Sequence, residues 1–300
     1  MTNAALTARL SFGPAAATAV IAFTAICFGL VPLFARELQA LGIGSAAIAL
    51  YRYVFSAAVL LPFLPRAREK RAEALWIGGA GFLMGLGWIA YLEAIERAPV
   101  AAAGVIYMSY PLFAVLFAWI LCRQRPGARA LGAGLLILGA AALVLDPQAL
   151  GAEAAWALLL SVPAPMAFGL IVVVLSAMLR RLTVLERMAC GMLGALAGLA
   201  PLTLTQEAAA LPVTVDGWLL VAGLGVATAL IPQMLYTVAA PRVGPARSAA
   251  AGSVELPTMI AVGWLAFGEV AGLREALAAV LVLAAVFLAP AVRPGAAMRR

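Results

Sequence analysis

The sequence predicts an all-α integral membrane protein with ten transmembrane helices, from its composition, its hydropathy pattern and its charge distribution. Hydrophobic residues make up 65% of the 300 residues and charged residues 11%, and the mean hydropathy is +1.07. Such values are typical of chains whose solvent is mostly lipid. Each of ten apolar runs is long enough to cross a hydrocarbon core of about 30 Å. The runs lie near residues 15–35, 44–64, 74–92, 99–121, 128–145, 154–179, 187–205, 217–239, 245–267 and 273–291.

Nearly all charges lie in the gaps between these runs, and their sign alternates from one gap to the next. The two tails and the even-numbered gaps hold 16 of the 20 basic residues against three acids, whereas the odd-numbered gaps hold nine acids against three arginines. Because basic residues collect on the cytoplasmic side of membrane proteins, the pattern predicts that both termini face the cytoplasm (N-in/C-in). The net charge of +7 is scattered over these loops and forms no stripe for nucleic acid.

The residue types that most enzymes need are scarce. The chain has no histidine, which excludes Ser-His and Cys-His nucleophile pairs and histidine-ligated zinc. The only aspartates, Asp146 and Asp216, fall at predicted helix ends. The three cysteines are far apart and are interpreted as buried small hydrophobes. We therefore expect no enzyme activity, no metal and no cofactor.

The second half of the sequence repeats the first. The recurring elements are Pro99 and Pro111 with Pro245 and Pro257, at a common offset of 146, and the Phe-Gly-Leu tripeptides at 28–30 and 168–170. Each half holds five runs, an odd number, so the second copy enters the membrane from the opposite side. We therefore predict two inverted five-helix domains, residues 1–150 and 151–300. Inverted repeats are the architecture of secondary transporters, although duplication for stability alone is an alternative.

The paired prolines indicate where a substrate site should lie. Pro111 and Pro257 each fall near the middle of an apolar run, where a proline removes a backbone hydrogen bond and kinks the helix. Broken helices at corresponding places in the two halves of a transporter point to a site near the bilayer midplane. We interpret both prolines as hinges, together with Gly85 in the glycine-rich third run, where helices can approach closely and slide.

Polar and aromatic side chains precede both kinks, and the neighbouring third and eighth runs carry more of them. We interpret the aromatic members as a wall beside a cavity. For Tyr91 an interfacial anchor is the alternative, and for Tyr110 simple packing between helices. The predicted substrate-binding residues are Trp88, Tyr91, Tyr107, Ser109, Tyr110, Gln233, Ser253 and Glu255.

Two full charges, Arg52 and Glu255, fall inside apolar runs. Charged residues in such positions normally face a partner or a wet cavity. We interpret Glu255 as a cavity residue and Arg52 as structural, with an ion pair between them left open. The offset of 146 pairs Tyr107 with Ser253 and Ser109 with Glu255, so both halves are expected to place polar groups at equivalent depths.

Further motifs connect the chain to a known family. Residues 131–139 (Leu-Gly-Ala-Gly-Leu-Leu-Ile-Leu-Gly) and 265–269 (Leu-Ala-Phe-Gly-Glu), with the proline-centred fourth and ninth runs, resemble the EamA-type exporters of the drug/metabolite transporter superfamily. The pair Tyr110-Pro111 is similar to the aromatic-Pro pair of bacterial exporters of aromatic and neutral amino acids. Residues 121–124 depart from the family pattern, in which a Gly-Glu pair often closes the fourth run.

The resemblance implies a secondary transporter that exports small metabolites, above all aromatic or neutral amino acids, across the bacterial inner membrane by alternating access. The expected partners are a small-molecule substrate and the lipid bilayer, with no nucleic acid, and the chain is expected to be a monomer. Two alternatives stay open. One is proton-coupled efflux of cationic drugs held by Glu255 and the tyrosines, and the other is a non-transporting membrane scaffold.

Overall fold

The computed structural model describes residues 13–144, 150–205, 211–270 and 272–288. Within these ranges the chain is all-helical, with 85% helix and no strand. Several charges that support the predicted topology lie outside the described residues: Arg9, Asp146, Glu207, Arg293, Arg299 and Arg300.

Fifteen α-helices make up the described part of the chain, and prolines at the first or second position begin at least five of them, namely α1, α2, α6, α9 and α12. Proline suits these positions because the first amide groups of a helix have no partner within it. Val174–Met178 and Val226–Leu230 are π-helical turns that continue α9 and α11. The helices are α1 Pro14–Gly29, α2 Val31–Ala40, α3 Ser45–Leu60, α4 Arg71–Arg97, α5 Val100–Tyr107, α6 Tyr110–Cys122, α7 Ala128–Val144, α8 Ala152–Leu160, α9 Pro163–Val173, α10 Val184–Thr205, α11 Val215–Gly225, α12 Ile231–Val243, α13 Pro245–Gly252, α14 Glu255–Phe267 and α15 Leu273–Leu288.

Among the described residues, seven helical stretches are long and apolar enough to cross a membrane. They are Pro14–Ala40, Ser45–Phe63, Arg68–Arg97, Val100–Cys122, Ala152–Met178, Val184–Pro201 and Val215–Val243. These stretches correspond to the first four runs and to the sixth, seventh and eighth. The fifth, ninth and tenth runs are also helical, but α7, α14 and α15 are shorter within the described residues. The all-helical membrane class is therefore confirmed, while the total of ten crossings and the N-in/C-in orientation stay predictions.

Charged contacts hold together one end of the bundle, which we call the basic end. The Glu73 carboxylate at the start of α4 accepts hydrogen bonds of 2.8–3.1 Å from the backbone N–H groups of residues 180–182. Lys70 pairs with Glu186 at 2.7 Å. These contacts fasten the loop before α10 to the beginning of α4.

A second network holds the opposite end, which we call the acidic end. Arg36 Nη1 pairs with Glu269 Oε1 at 2.6 Å, and Glu269 Oε2 accepts a hydrogen bond from the Val100 backbone N–H at 2.9 Å. Arg36 also donates to the carbonyl oxygens of Ile95 and Ala98 at 3.1–3.2 Å. The network joins the first, third, fourth and ninth runs. It also shows that α5 begins at the acidic end, where α14 stops.

The broken helix of the first half, α5 with α6, and that of the second half, α13 with α14, therefore run in opposite directions. Each is interrupted by a two-residue turn, Met108–Ser109 in the first half and Ser253–Val254 in the second. Each also ends on a left-handed residue, Arg123 (φ 54°) and Gly268 (φ 64°). The residue numbers of both features differ by 145 between the halves. The backbone thus repeats as predicted, in an inverted sense, but one residue away from the predicted offset.

The pairing of residues across the halves changes with this register. Tyr110, and not Ser109, is the counterpart of Glu255, since each is the first residue of its helix. The prolines suggested an offset of 146 because Pro111 is the second residue of α6 whereas Pro257 is the third of α14. Proline is tolerated anywhere in the first turn of a helix, so it marks a break only to within a residue or so.

Two glycines pack against these breaks and confirm the register. A Cβ atom on Gly29 would lie 2.9 Å from the Glu255 carbonyl oxygen, and one on Gly169 would lie 2.8 Å from the Tyr110 carbonyl oxygen. Each glycine belongs to the Phe-Gly-Leu tripeptide of one half and contacts the broken helix of the other. The tripeptide was recognised from the sequence, and its function in the structure is to let one half approach the other.

Helices α4 and α10 make a very close contact through small residues. A Cβ atom on Gly81 would overlap the Gly191 carbonyl oxygen, and one on Gly85 would overlap that of Ala195. Such close approach is typical of small-residue interfaces between membrane helices. Helix α4 continues without interruption through Gly85, so the structure shows this residue as a packing glycine, and its predicted hinge role stays a prediction.

Candidate functional site

A narrow cavity of about 50 Å³ lies beside the two helix breaks and is lined by residues of both halves. The third run contributes α4, whose glycines bring α10 close, and the broken helices contribute α5 and α14. The polar and aromatic residues that line the cavity are Phe28, Arg52, Tyr53, Trp88, Tyr107, Phe168, Gln233, Thr237 and Glu255. A single chamber therefore collects side chains from the first to the ninth run.

The cavity continues from the breaks toward the basic end, and its walls become apolar on the way. The apolar lining residues are Ile77, Met84, Ile171, Leu175, Met188 and Met192. Arg187 borders this part as well, but its Nε and Nη2 donate to the carbonyl oxygens of Leu182 and Leu179 at 3.0 and 3.1 Å. Methionine side chains are flexible and adapt to different apolar shapes.

Tyr107 lies at the centre of an aromatic cluster at the breaks. Its ring stacks on Phe168 with a centroid distance of 5.8 Å, and the Trp88 ring lies 6.4 Å away. Behind it, the Tyr91 and Tyr110 rings lie 4.8 and 6.0 Å from Tyr107. Both outer tyrosines are fully buried. The cluster therefore closes the cavity on the side of the acidic end.

The symmetric tripeptides bring two more aromatic rings into this cluster. Phe28 and Phe168 meet edge to face at 6.2 Å, and both lie close to Tyr236, at 6.4 and 6.0 Å. Because Phe28 and Phe168 occupy matching positions in the two halves, their contact lies where the halves meet. The cavity, which both rings line, therefore lies at the junction of the two halves.

Glu255 contributes one charge to the cavity. Its side chain is 4% exposed, and it is the first residue of α14. Glu255 and Arg52 line the same cavity, but their N and O atoms do not come within the 4.0 Å of an ion pair. The open question of their pairing is therefore answered for this conformation, since the two charges face one chamber without touching.

Arg52 contributes the opposite charge and was interpreted from the sequence as structural. The residue is 5% exposed, and its Nη2 donates to the Thr228 carbonyl oxygen at 2.7 Å, within the π-helical turn of the eighth run. Its guanidinium carbon lies 3.9 Å from the centre of the Trp88 ring. Its structural role stays a prediction, to which the structure adds that Arg52 borders the cavity, because α3 faces the eighth run at the π-helical turn.

The predicted site residues divide into two groups. Trp88, Tyr107, Gln233 and Glu255 line the cavity. The four others, Tyr91, Ser109, Tyr110 and Ser253, are buried outside its lining.

The four residues outside the lining have structural surroundings that explain their position. The Tyr91 hydroxyl contacts the Met259 sulfur at 3.7 Å, one turn closer to the acidic end than Trp88. Ser109 lies in the turn between α5 and α6, and Ser253 in the turn between α13 and α14. The Tyr110 hydroxyl lies against Gly252, where a Cβ atom would overlap it. These residues support the cavity wall from behind.

Sequence reasoning missed several lining residues. Phe28 and Phe168 had a usable signal, since they precede the paired glycines of the repeated tripeptide. The three methionines had none, because methionine is common in any membrane helix. Within the described residues, no group of three or more His, Cys, Asp and Glu side chains could hold a metal ion.

A comparison with known protein families divides the chain into the same two halves. Residues 16–146 and residues 155–289 each match the model of the EamA-like transporter family. The chain belongs to this family. The resemblance drawn from the helix motifs is thereby confirmed at the level of the family, and the family unit occurs twice in the chain.

Solved structures agree with this EamA-like assignment. Among fifteen matching chains, one described only as a crystal structure of a protein has a TM-score of 0.66 and 20% sequence identity. The match covers 91% of this chain and 96% of that chain. At this identity the likeness shows a shared fold and nothing about substrate. No curated protein matches the sequence.

Membership of the EamA-like family makes the protein a multi-pass membrane transporter, and it indicates a transporter in place of an enzyme. A transporter of this family handles a small molecule within a lipid bilayer.

Proposed function

We propose that this EamA-like protein is a secondary transporter that exports neutral amino acids, aromatic ones above all, across the bacterial inner membrane by alternating access. The observation that carries the proposal is the buried Glu255 carboxylate facing an aromatic-walled cavity between the halves. An ammonium group suits such a carboxylate, and aromatic rings suit an apolar side chain. The apolar, methionine-lined part offers further room for that side chain.

The state of the two ends supports alternating access. The cavity reaches toward the basic end, whereas on the other side Tyr91 lies one turn beyond Trp88 and the Arg36–Glu269 network holds the acidic end together. In the proposed N-in/C-in orientation, the basic end faces the cytoplasm. Substrate would then enter from the cytoplasm, and opening of the acidic end would release it outside.

Export of cationic drugs is the second candidate, since Glu255 and the tyrosines could also hold a cation. Arg52 argues against it. A fixed positive charge bordering the same cavity repels a ligand that carries only positive charge, and this repulsion is strong where water is scarce. A molecule with both charges avoids that penalty.

Counterflow in proteoliposomes tests the proposed function. Vesicles loaded with unlabelled L-phenylalanine should accumulate external labelled L-phenylalanine in the presence of the purified protein, and excess unlabelled L-leucine or L-tryptophan should compete. Ethidium should not be transported. Ethidium flux without amino-acid flux would establish the drug exporter in its place, and no flux of either probe would support the scaffold alternative.

The orientation has its own test. Tags on the two termini should both be accessible from the cytoplasmic side of intact cells. A tag that is labelled from outside would contradict the N-in/C-in arrangement and the assignment of the basic end to the cytoplasm.

A further inference from the structure

Arg52 has more hydrogen-bond donors than the protein satisfies. One nitrogen, Nη2, is bonded to the Thr228 carbonyl oxygen, but Nε and Nη1 are buried and have no hydrogen-bond partner. Buried donors in native proteins nearly always have a partner, and leaving a charged group partly unpaired is unfavourable. A residue kept in the membrane only for structure would be expected to have its donors satisfied by the protein.

The surroundings of Arg52 hold the guanidinium in place without neutralising it. The ring of Trp88 lies under it at 3.9 Å, and the Tyr53 ring lies 5.6 Å away. The π-helical turn that contains Thr228 fixes one edge of the group, and such turns often occur at functional sites. Neither contact supplies a negative charge. Glu255, on the broken helix of the second half, is not in ion-pair contact with Arg52.

We infer that Nε and Nη1 of Arg52 form a carboxylate-binding subsite at the edge of the cavity, with the Glu255 carboxylate as the binding group for an ammonium. The inference rests on the proposed function, because it takes the transported molecule as the occupant. It deepens that function by naming what the substrate must carry: a free carboxylate and an ammonium on one small molecule. Amides, esters and decarboxylated amines of the same side chain lack the group that Arg52 binds.

A ligand carboxylate fits the free nitrogens of Arg52 in its chemistry and in its position. A carboxylate oxygen accepts a charge-assisted hydrogen bond from a guanidinium, and such a bond is stronger than one between uncharged groups. Both free nitrogens are shielded from water in this conformation, so the carboxylate is expected to reach them as the cavity widens during the transport cycle. Trp88 then presents its ring to the same end of the ligand.

Binding measurements on the purified protein test the subsite with three matched probes: L-phenylalanine, L-phenylalaninamide and 2-phenylethylamine. The wild-type protein should bind L-phenylalanine at least about tenfold more tightly than either probe without a carboxylate. In Arg52→Gln the affinity for L-phenylalanine should fall to the level of the amide. The affinity for the amide should not fall, because no contact to it is lost, and should rise as removal of the Arg52 charge relieves its repulsion of the ammonium.

Two further variants separate charge from geometry and from general damage. Arg52→Lys keeps the charge but not the planar group, and should restore part of the preference for the acid. Arg97→Gln removes an arginine from the surface of the acidic end, where it pairs with Glu93 and Glu153, and should leave all three affinities unchanged.

The outcomes distinguish this inference from the proposed function. Equal affinity of the wild-type protein for the acid and the amide, or equal weakening of both by Arg52→Gln, would overturn the subsite while amino-acid transport stands. Failure of all three probes to bind, together with ethidium flux, would overturn both. If Arg52→Gln does not fold, Arg52→Lys supplies the comparison: a smaller preference for the acid than in the wild type supports the subsite, and an unchanged preference overturns it.

Discussion

The broken helix of the first half and its counterpart in the second half have the same backbone plan but present different chemistry at the break. Helix α6 begins with Tyr110 after the turn Met108–Ser109, and α14 begins with Glu255 after the turn Ser253–Val254. The first half therefore supplies aromatic rings, and the second supplies a carboxylate. Both breaks receive a glycine from the opposite half, Gly29 or Gly169.

This difference separates what duplication preserves from what it leaves free. The positions of the turns, the left-handed ends and the packing glycines determine where a cavity can form, and they recur in both halves. The side chains that face the cavity need not recur, because the proposed ligand would present different groups to the two halves. A single asymmetric chamber results from two similar units.

The largest effect should come from Glu255→Gln, which removes the one charge that distinguishes the second break. Loss of a charge-assisted hydrogen bond to the ligand ammonium should cost about 1.5–3 kcal/mol, or roughly a tenfold or greater loss of affinity. Counterflow of labelled L-phenylalanine over a range of concentrations measures it. Tyr110→Phe, at the equivalent position, should change the affinity by about twofold or less, since only a hydroxyl behind the cavity wall is lost.

Equal effects of the two substitutions would show that the halves are not chemically specialised. Glu255→Asp serves as the conservative variant and should recover part of the lost affinity, because it keeps the carboxylate. Recovery by Asp together with failure of Gln would tie the effect to charge and not to packing.

Substitution of the two packing glycines, Gly29 and Gly169, should destabilise the protein to a similar extent. Gly29→Ala places a methyl group 2.6 Å from the Thr258 Cβ, and Gly169→Ala places one 2.8 Å from the Ala114 nitrogen. Overpacking of this kind should lower the free energy of unfolding by about 1–3 kcal/mol in each variant. Thermal unfolding in detergent measures it, with Gly79→Ala as the control, since nothing lies within 4 Å of a Cβ there. If only one of the two variants is destabilised, the two glycines do not have equivalent packing roles in the two halves.

The ends of the broken helices should also differ between the two halves. In the 145 register Gln124 is the counterpart of Glu269, and Glu269 alone has a defined network, with Arg36 and the Val100 N–H. Glu269→Gln should lower the free energy of unfolding by about 1 kcal/mol, since the pair is partly exposed. Gln124→Glu, on an exposed residue, should have no measurable effect. Thermal unfolding of both variants at low and high salt tests this, and a loss confined to Gln124→Glu would contradict it.

Much of this arrangement could be predicted from the sequence, but its register and most of the residues that line the cavity could not. Apolar runs and charge alternation indicate the membrane class, because lipid imposes the same demands on every crossing. The prolines located both breaks, yet placed their register one residue away. Arg52 was interpreted as structural because nothing in the sequence shows that α3 borders the cavity. Such contacts depend on how the helices pack against one another, and hydropathy does not predict this packing.

The smallest effect should come from the prolines themselves, Pro111→Ala and Pro257→Ala. Neither proline gives up a helical hydrogen bond in its present place, since each lies in the first turn of its helix. Alanine restores an amide that can bond backward across the turn and stiffen the break. Stability should therefore stay within about 0.5 kcal/mol of the wild type, while turnover falls by about two- to threefold.

Counterflow rates normalised to the amount of protein in the vesicles separate these two quantities. Pro14→Ala, at the beginning of α1 and away from both breaks, is the matched control and should leave turnover unchanged. If both break prolines can be replaced with unaltered turnover, the breaks act as fixed architecture for the cavity. The proposed rocking of the two halves would then have to occur elsewhere, and the close contact between α4 and α10 at Gly85 is the next place to test.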